Sequence, residues 1–131
     1  MADRTKEGRN LRQDEFEELV LEAIQELPQE LLARLDNVAI VVQRWPTRVQ
    51  MEVADLVERG ELLGLYEGIP LTDRENYNLV LPDKISIFQG PVEAACDTRE
   101  EMAREVKVTV AHEIAHHFGI DDEQLEEMGL G

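Results

Sequence analysis

The first strong pattern of apolar positions begins after Asp14 and has the period of a helix. Apolar side chains recur every three or four positions over residues 16–27, which predicts an amphipathic helix with one face on a core. Asp14 and Glu17 resemble a capping box at its start. Residues 1–13 mix charges without an apolar period. We therefore expect residues 1–13 to be a flexible tail and residues 14–131 to form a single domain.

Two later segments have the composition of strands. Residues 38–42 are mostly β-branched, which predicts a strand buried on both faces. Residues 84–89 alternate and predict a half-buried strand ending at Gly90. That strand is either an ordinary sheet strand or an edge that pairs with an extended peptide. Between the two, residues 49–57 have helical spacing, with Gly60 where a helix would end.

The last long helix is predicted between two strong local signals. Thr98 and Glu101 form a T-x-x-E capping box, and Gly119 is a natural helix stop. Either Asp121 or Asp122 is placed to cap a final short helix. The order of helix, strand, helix, strands and long helix predicts an α+β domain.

Composition and charge narrow the range of functions. With 13 basic and 29 acidic residues the formal charge is −16, which argues against nucleic acid as a partner. No apolar run approaches the roughly 18 residues that span a bilayer, and the chain starts without the apolar segment of a secretory signal. A single cysteine, Cys96, excludes an internal disulfide framework and fits a cytoplasmic protein. We expect Cys96 to be a small buried residue.

All three histidines lie within six residues, and this segment carries the candidate chemistry. His112 and His116 are four residues apart, so on a helix they share one face and can reach one zinc ion. The apolar positions of the same helix centre on the opposite side, so the pair is not simply part of the packing face. Glu113 lies beside the pair, which suits a general base that takes a proton from water. The third ligand stays open among Asp121, Asp122 and Glu126.

The pattern H-E-x-x-H-x-x-G-x-x-D, read over residues 112–122, resembles the zincin metallopeptidase signature. The chain is similar to the small bacterial zincin-like metallopeptidases, and the resemblance also covers residues 62–72, 81–85 and 116–122. The resemblance implies a compact zincin core with a small mixed sheet, a long active-site helix near the C-terminus and a bound Zn²⁺. Its site residues would be three metal ligands, His112, His116 and Asp122, and one catalytic residue, Glu113. Only 15 residues follow His116, so we expect no methionine turn and no C-terminal subdomain of the larger zincins.

The sequence therefore predicts a zinc-dependent peptidase that acts on a peptide or protein substrate. Three residues are candidates for stabilising the oxyanion: Tyr66, Tyr77 and His117. A structural or rim role is the simpler interpretation of His117. The alternative function is a zinc-binding module with little or no turnover that acts through protein partners, although such a module has no need of Glu113. A metal-dependent ribonuclease is disfavoured by the charge of −16 and by Glu113.

Overall fold

A computed structural model describes residues 11–54, 62–68 and 82–130 of the chain. The N-terminal part contains helix α1 (Gln13–Gln25), helix α2 (Gln29–Leu32), a 3₁₀ turn (Ala33–Leu35), strand β1 (Val38–Gln43) and helix α3 (Arg48–Val53). The remainder contains strands β2 (Gly64–Glu67) and β3 (Asp83–Phe88), followed by helices α4 (Gln89–Ala95), α5 (Arg99–Phe118) and α6 (Asp122–Glu127). The fold is α+β, as predicted.

The described strands form one mixed sheet in the order β1-β3-β2. Strand β3 pairs in parallel with β1 and antiparallel with β2, so Ile85 lies opposite both Ile40 and Tyr66. The prediction that residues 84–89 form a half-buried strand is wrong, because the last four residues of β3 are buried. Since β3 has a neighbour on each side, the structure supports the alternative of an ordinary sheet strand. The alternative that this strand is an edge for an extended peptide is therefore wrong.

Strand β1 also differs from its prediction. All six of its residues are half-buried rather than buried on both faces, because β1 is an outer strand of the described sheet. Strand β3 does not stop at a turn around Gly90 either, since that residue lies inside α4, which begins directly after Phe88. Strand order depends on pairing between distant segments, and an apolar run does not carry that information.

The core lies between one face of the sheet and the two longest helices. Helix α1 buries the predicted apolar stripe, and α5 buries a stripe of its own against it. Ile85 and Ile87 point into this core, whereas Phe88 joins a smaller cluster with Leu62 and Leu65 on the opposite face. The sheet thus has apolar packing on both sides, with α5 on the side of the main core.

The start of α1 corrects another prediction. The helix begins at Gln13, and the Glu15 carboxylate accepts a hydrogen bond from the Arg12 backbone N–H at 3.0 Å. The predicted capping box of Asp14 and Glu17 is therefore wrong, since Asp14 already lies in the first turn. The cap lies two residues earlier, at Arg12 instead of Asp14, which is within the usual precision of a helix end inferred from sequence.

Leu11, inside the predicted tail, is buried. Its N–H donates to Glu93 Oε2 at 2.8 Å, and its carbonyl accepts from Gln89 Nε2 at 2.7 Å. Glu93 also forms an ion pair with Arg44 at 3.5 Å. The folded part of the chain therefore includes Leu11, while residues 1–10 lie outside the described residues.

Helix α3 is the described part of the helix predicted over residues 49–57. Its two valines, Val49 and Val53, are exposed rather than packed in the core. The predicted helix end at Gly60 lies outside the described residues. Across the described ranges, no helix has both the length and the apolar composition needed to cross a membrane.

Candidate metal centre

Helix α5 carries the histidines, and both of its ends are held by the signals seen in the sequence. Thr98 Oγ1 accepts from the Glu101 N–H at 3.1 Å, while the Glu101 carboxylate accepts from the Asp97 N–H at 2.7 Å. At the other end Gly119 has φ +73°, and the following Ile120 N–H returns to the Ala115 carbonyl at 2.9 Å. The left-handed conformation is open to glycine without strain. The chain can therefore turn sharply after Phe118 and bring α6 back beside the histidines.

His112, His116 and Asp122 form a group whose ligand atoms all lie within 4.8 Å of one another. The two imidazole centroids are 6.2 Å apart with their planes at 71°. His112 is half-buried, and the other two residues are exposed. Two imidazole nitrogens and a carboxylate oxygen are donors that zinc accepts, and three protein ligands leave a fourth position for water. The donor set and its convergence fit a zinc ion.

The two adjacent aspartates after Gly119 have different roles in the fold. Asp121 caps α6, because its Oδ1 accepts from the Gln124 N–H at 2.8 Å while Gln124 Oε1 accepts from the Asp121 N–H at 3.1 Å. Asp122, one residue further on, is the aspartate that joins the histidines. Glu126 is not in this group, nor does any other described acidic residue join it. The structure thus favours Asp122 over the other two candidates for third ligand.

Glu113 is half-buried on α5, which packs against strand β2. Its Oε1 accepts a hydrogen bond from the Tyr66 backbone N–H at 2.9 Å. A carboxylate held by one oxygen keeps further lone pairs for a proton. Glu113 is thus anchored beside the candidate ligands rather than being one of them.

The family model described as zincin-like metallopeptidase matches residues 35–131. The chain belongs to the zincin-like metallopeptidase family. The matched region runs from the end of the 3₁₀ turn through the histidine motif and α6. No curated protein gives a significant match to the chain. Family membership supports a hydrolase that cleaves peptides and implies a metal, usually zinc.

In this zincin-like domain the candidate oxyanion residues have other contacts. The Tyr66 ring stacks on His117 with centroids 3.9 Å apart, and its hydroxyl donates to Asp83 Oδ2 at 2.8 Å. His117 also meets Phe118 edge to face, with centroids 4.8 Å apart, and Arg34 lies 5.2 Å from the Phe118 ring. These contacts indicate that Tyr66 and His117 are packing residues. The third candidate, Tyr77, lies outside the described residues.

A groove of about 250 Å³ borders the candidate base and one candidate ligand. Besides His112 and Glu113 it is lined by Leu62, Leu63, Gly64, Glu105, Val108 and Thr109. The groove runs between the start of β2 and the middle of α5.

Sequence reasoning missed the contact between β2 and Glu113. The Tyr66 N–H is a backbone group, so no side-chain motif identifies it. A usable signal was Gly64 inside the apolar run of residues 62–67, because glycine in a strand often marks a close approach of another element.

Proposed function

We propose that this chain is a zinc-dependent peptidase in which His112, His116 and Asp122 hold the metal and Glu113 is the general base. The observation that carries the proposal is the convergence of three donor atoms within 4.8 Å, with the anchored carboxylate of Glu113 on the residue next to His112. Zinc bound there would lower the pKa of water and polarise a peptide carbonyl. The family match supports the same reaction class.

The protein's own groups would move the proton. Glu113 accepts a proton from the attacking water as the new carbon–oxygen bond forms. It then donates that proton to the leaving amine as the carbon–nitrogen bond breaks, so the carboxylate ends each cycle unchanged. The hydrogen bond from Tyr66 keeps the carboxylate in one orientation through both transfers.

The groove beside Glu113 is the proposed place for the substrate. Leu62, Leu63 and Val108 offer apolar contact to a substrate side chain, and Glu105 adds one negative charge. The groove is short and open, so it holds a segment of a peptide rather than enclosing a small molecule. We therefore expect the enzyme to bind a short stretch of extended chain around the cleaved bond.

The test compares zinc-loaded wild type with Glu113→Gln on a mixture of peptides from a digested bacterial lysate. Mass spectrometry of new peptide termini gives the cleavage rate, and elemental analysis gives zinc per chain. We expect the variant to lose cleavage by about 10²–10⁴-fold, the usual contribution of a general base, with zinc content unchanged. Glu100→Gln is the matched control, because Glu100 is an exposed carboxylate at the opposite end of α5.

A cleavage rate in Glu113→Gln equal to that of the wild type would show that Glu113 is not the general base. Zinc-loaded wild type that binds the metal but produces no new termini would contradict the peptidase itself. That second result would favour the zinc-binding module that acts through protein partners, because the donor set would then serve structure alone.

A further inference from the structure

Strand β2 meets helix α5 along a single stripe of residues spaced four apart. Gly64 faces Thr109, the Tyr66 N–H binds Glu113, and the Tyr66 ring stacks on His117. These α5 positions fall on one side of the helix, next to the candidate metal ligands. The separation of β2 and α5 therefore determines where the Glu113 carboxylate is held.

The closest point of this contact is Gly64. A Cβ added there would lie 2.7 Å from Thr109 Cγ2, 3.2 Å from the Ser86 carbonyl oxygen and 3.3 Å from Ile87 Cδ1. The helix lies on one side of Gly64 and the neighbouring strand β3 on the other. A side chain at this position therefore forces a shift at Thr109. Because the Thr109 side chain is short and β-branched, we expect β2 and α5 to move apart by several tenths of an ångström.

The pairing of β2 with β3 explains why the Tyr66 N–H is directed at the helix. The Phe88 N–H donates to the Leu63 carbonyl at 2.9 Å, and in an antiparallel pair such hydrogen-bonded positions alternate along the strand. Leu63 is a hydrogen-bonded position, so Tyr66, three residues later, is a non-hydrogen-bonded one. The N–H of such a position points away from β3. Its partner is the Glu113 carboxylate at 2.9 Å, and a shift of several tenths of an ångström brings that bond to the limit of useful length.

We propose that Gly64 is a positioning residue for the general base: its missing side chain lets β2 approach α5 closely enough for the Tyr66 N–H to hold Glu113. The proposal rests on the proposed function of Glu113. A displaced carboxylate lowers the rate of proton transfer. The proposed metal ligands keep their donors, because His112 and His116 lie on the neighbouring stripe of α5 and Asp122 lies on α6. Loss of the contact should therefore lower kcat more than it raises KM, with zinc still bound.

The test uses Gly64→Ala, Thr109→Ser and the double variant beside the wild type. Thr109→Ser removes Cγ2, the atom nearest to the added Cβ, and retains the hydroxyl. Backbone amide exchange measured by NMR reports on the Tyr66 N–H in each zinc-loaded protein, and dye-labelled casein gives kcat and KM. Elemental analysis gives zinc per chain, and thermal unfolding shows whether each protein is folded.

For Gly64→Ala we expect Tyr66 amide exchange to rise at least about tenfold and kcat to fall about 10–100-fold, with zinc unchanged and a rise in KM smaller than the fall in kcat, since Gly64 also lines the groove. The double variant should regain both the slow exchange and the kcat of Thr109→Ser. Thr109→Leu enlarges the contact from the helix side and should act like Gly64→Ala. It is the second variant if Gly64→Ala does not fold.

Unchanged Tyr66 exchange in Gly64→Ala would overturn the proposal. So would a loss of kcat that Thr109→Ser does not reverse, since that loss would not arise from the Gly64–Thr109 contact. The exchange measurement needs no turnover. A wild type that binds zinc and cleaves neither casein nor the peptide mixture would thus contradict the proposed function, and the exchange measurement would then test only whether Gly64 allows the contact between Tyr66 and Glu113.

Discussion

Helices α1 and α5 pack against each other but use their side chains differently. Helix α1 has one buried stripe, which includes Phe16 and Val20, and the rest of its surface is largely charged and exposed. Helix α5 buries Val110 and Ile114 in the same core, yet it also turns a second, polar stripe towards β2. A single apolar stripe shows which face of a helix packs in the core. Half-buried polar residues on a second face of a helix indicate a candidate functional site.

The largest effect on stability is expected on α1. Phe16→Ala removes a fully buried ring from the core and should lower the free energy of unfolding by about 3–5 kcal/mol. Zinc per folded chain should stay the same, because Phe16 belongs to the packing stripe and not to the donor group. Urea unfolding together with elemental analysis measures both quantities. A loss of zinc from the folded protein would show that the two helices are not separate in function.

The next effect distinguishes the two adjacent aspartates at the start of α6. Asp122→Ala removes a proposed ligand and should weaken zinc binding by at least about 100-fold, since even outer-shell changes cost 10–100-fold. Asp121→Ala is the matched control, because it removes the cap of α6 and should cost only about 1 kcal/mol of stability. Competition with a fluorescent zinc chelator gives both affinities. Equal losses in the two variants would return the third ligand to an open question.

Much of α5 could be predicted because its signals are local. The cap at Thr98 and the stop at Gly119 act through neighbouring backbone groups, and the four-residue spacing of His112 and His116 has one meaning on a helix. The choice between Asp121 and Asp122 was not local. Both follow the same turn, and only the path of the chain into α6 brings one of them to the histidines.

The sheet was harder to predict for the same physical reason. Residues 38–42 and 84–89 are both rich in apolar side chains, and nothing within either run says which strand is central. The answer comes from pairing over long separations in sequence, with β1 and β2 on either side of β3. The hydrogen bond from Tyr66 to Glu113 also depends on that pairing, so it could not be predicted from the sequence either.

A smaller effect is expected at the start of α5, far from the histidines. Thr98→Ala removes the acceptor of the Glu101 N–H and should lower the free energy of unfolding by about 1 kcal/mol. Zinc affinity should not change, because the cap affects the first turn and the ligands lie more than three turns away. Thr98→Asp keeps an acceptor and should restore stability in urea unfolding. A variant with full stability despite the lost cap would contradict this account of where α5 begins.

The smallest effect at neutral pH concerns Cys96, two residues before Thr98 in the sequence. Burial, with the neighbouring Glu105, Glu101 and Asp97 carboxylates, raises the pKa of the thiol from 9.0 to about 11. The folded thiol stays protonated while the unfolded one ionises, so its contribution to stability is intact below pH 9 and falls between pH 9 and 11. Iodoacetamide should therefore modify the folded protein much more slowly than the urea-unfolded protein at pH 8.5. Equal rates would show that the thiol is neither buried nor raised in pKa.

The central claim is that the histidine face of α5, with Asp122, is a zinc site. Its most direct test is zinc per chain by elemental mass spectrometry, on wild type and His116→Ala purified without added metal. We predict about one zinc per chain in the wild type, as one three-ligand site requires, and little in the variant. No zinc in either protein, even after incubation with the ion, would contradict the metal site. It would also contradict the proposed peptidase function, which depends on that site.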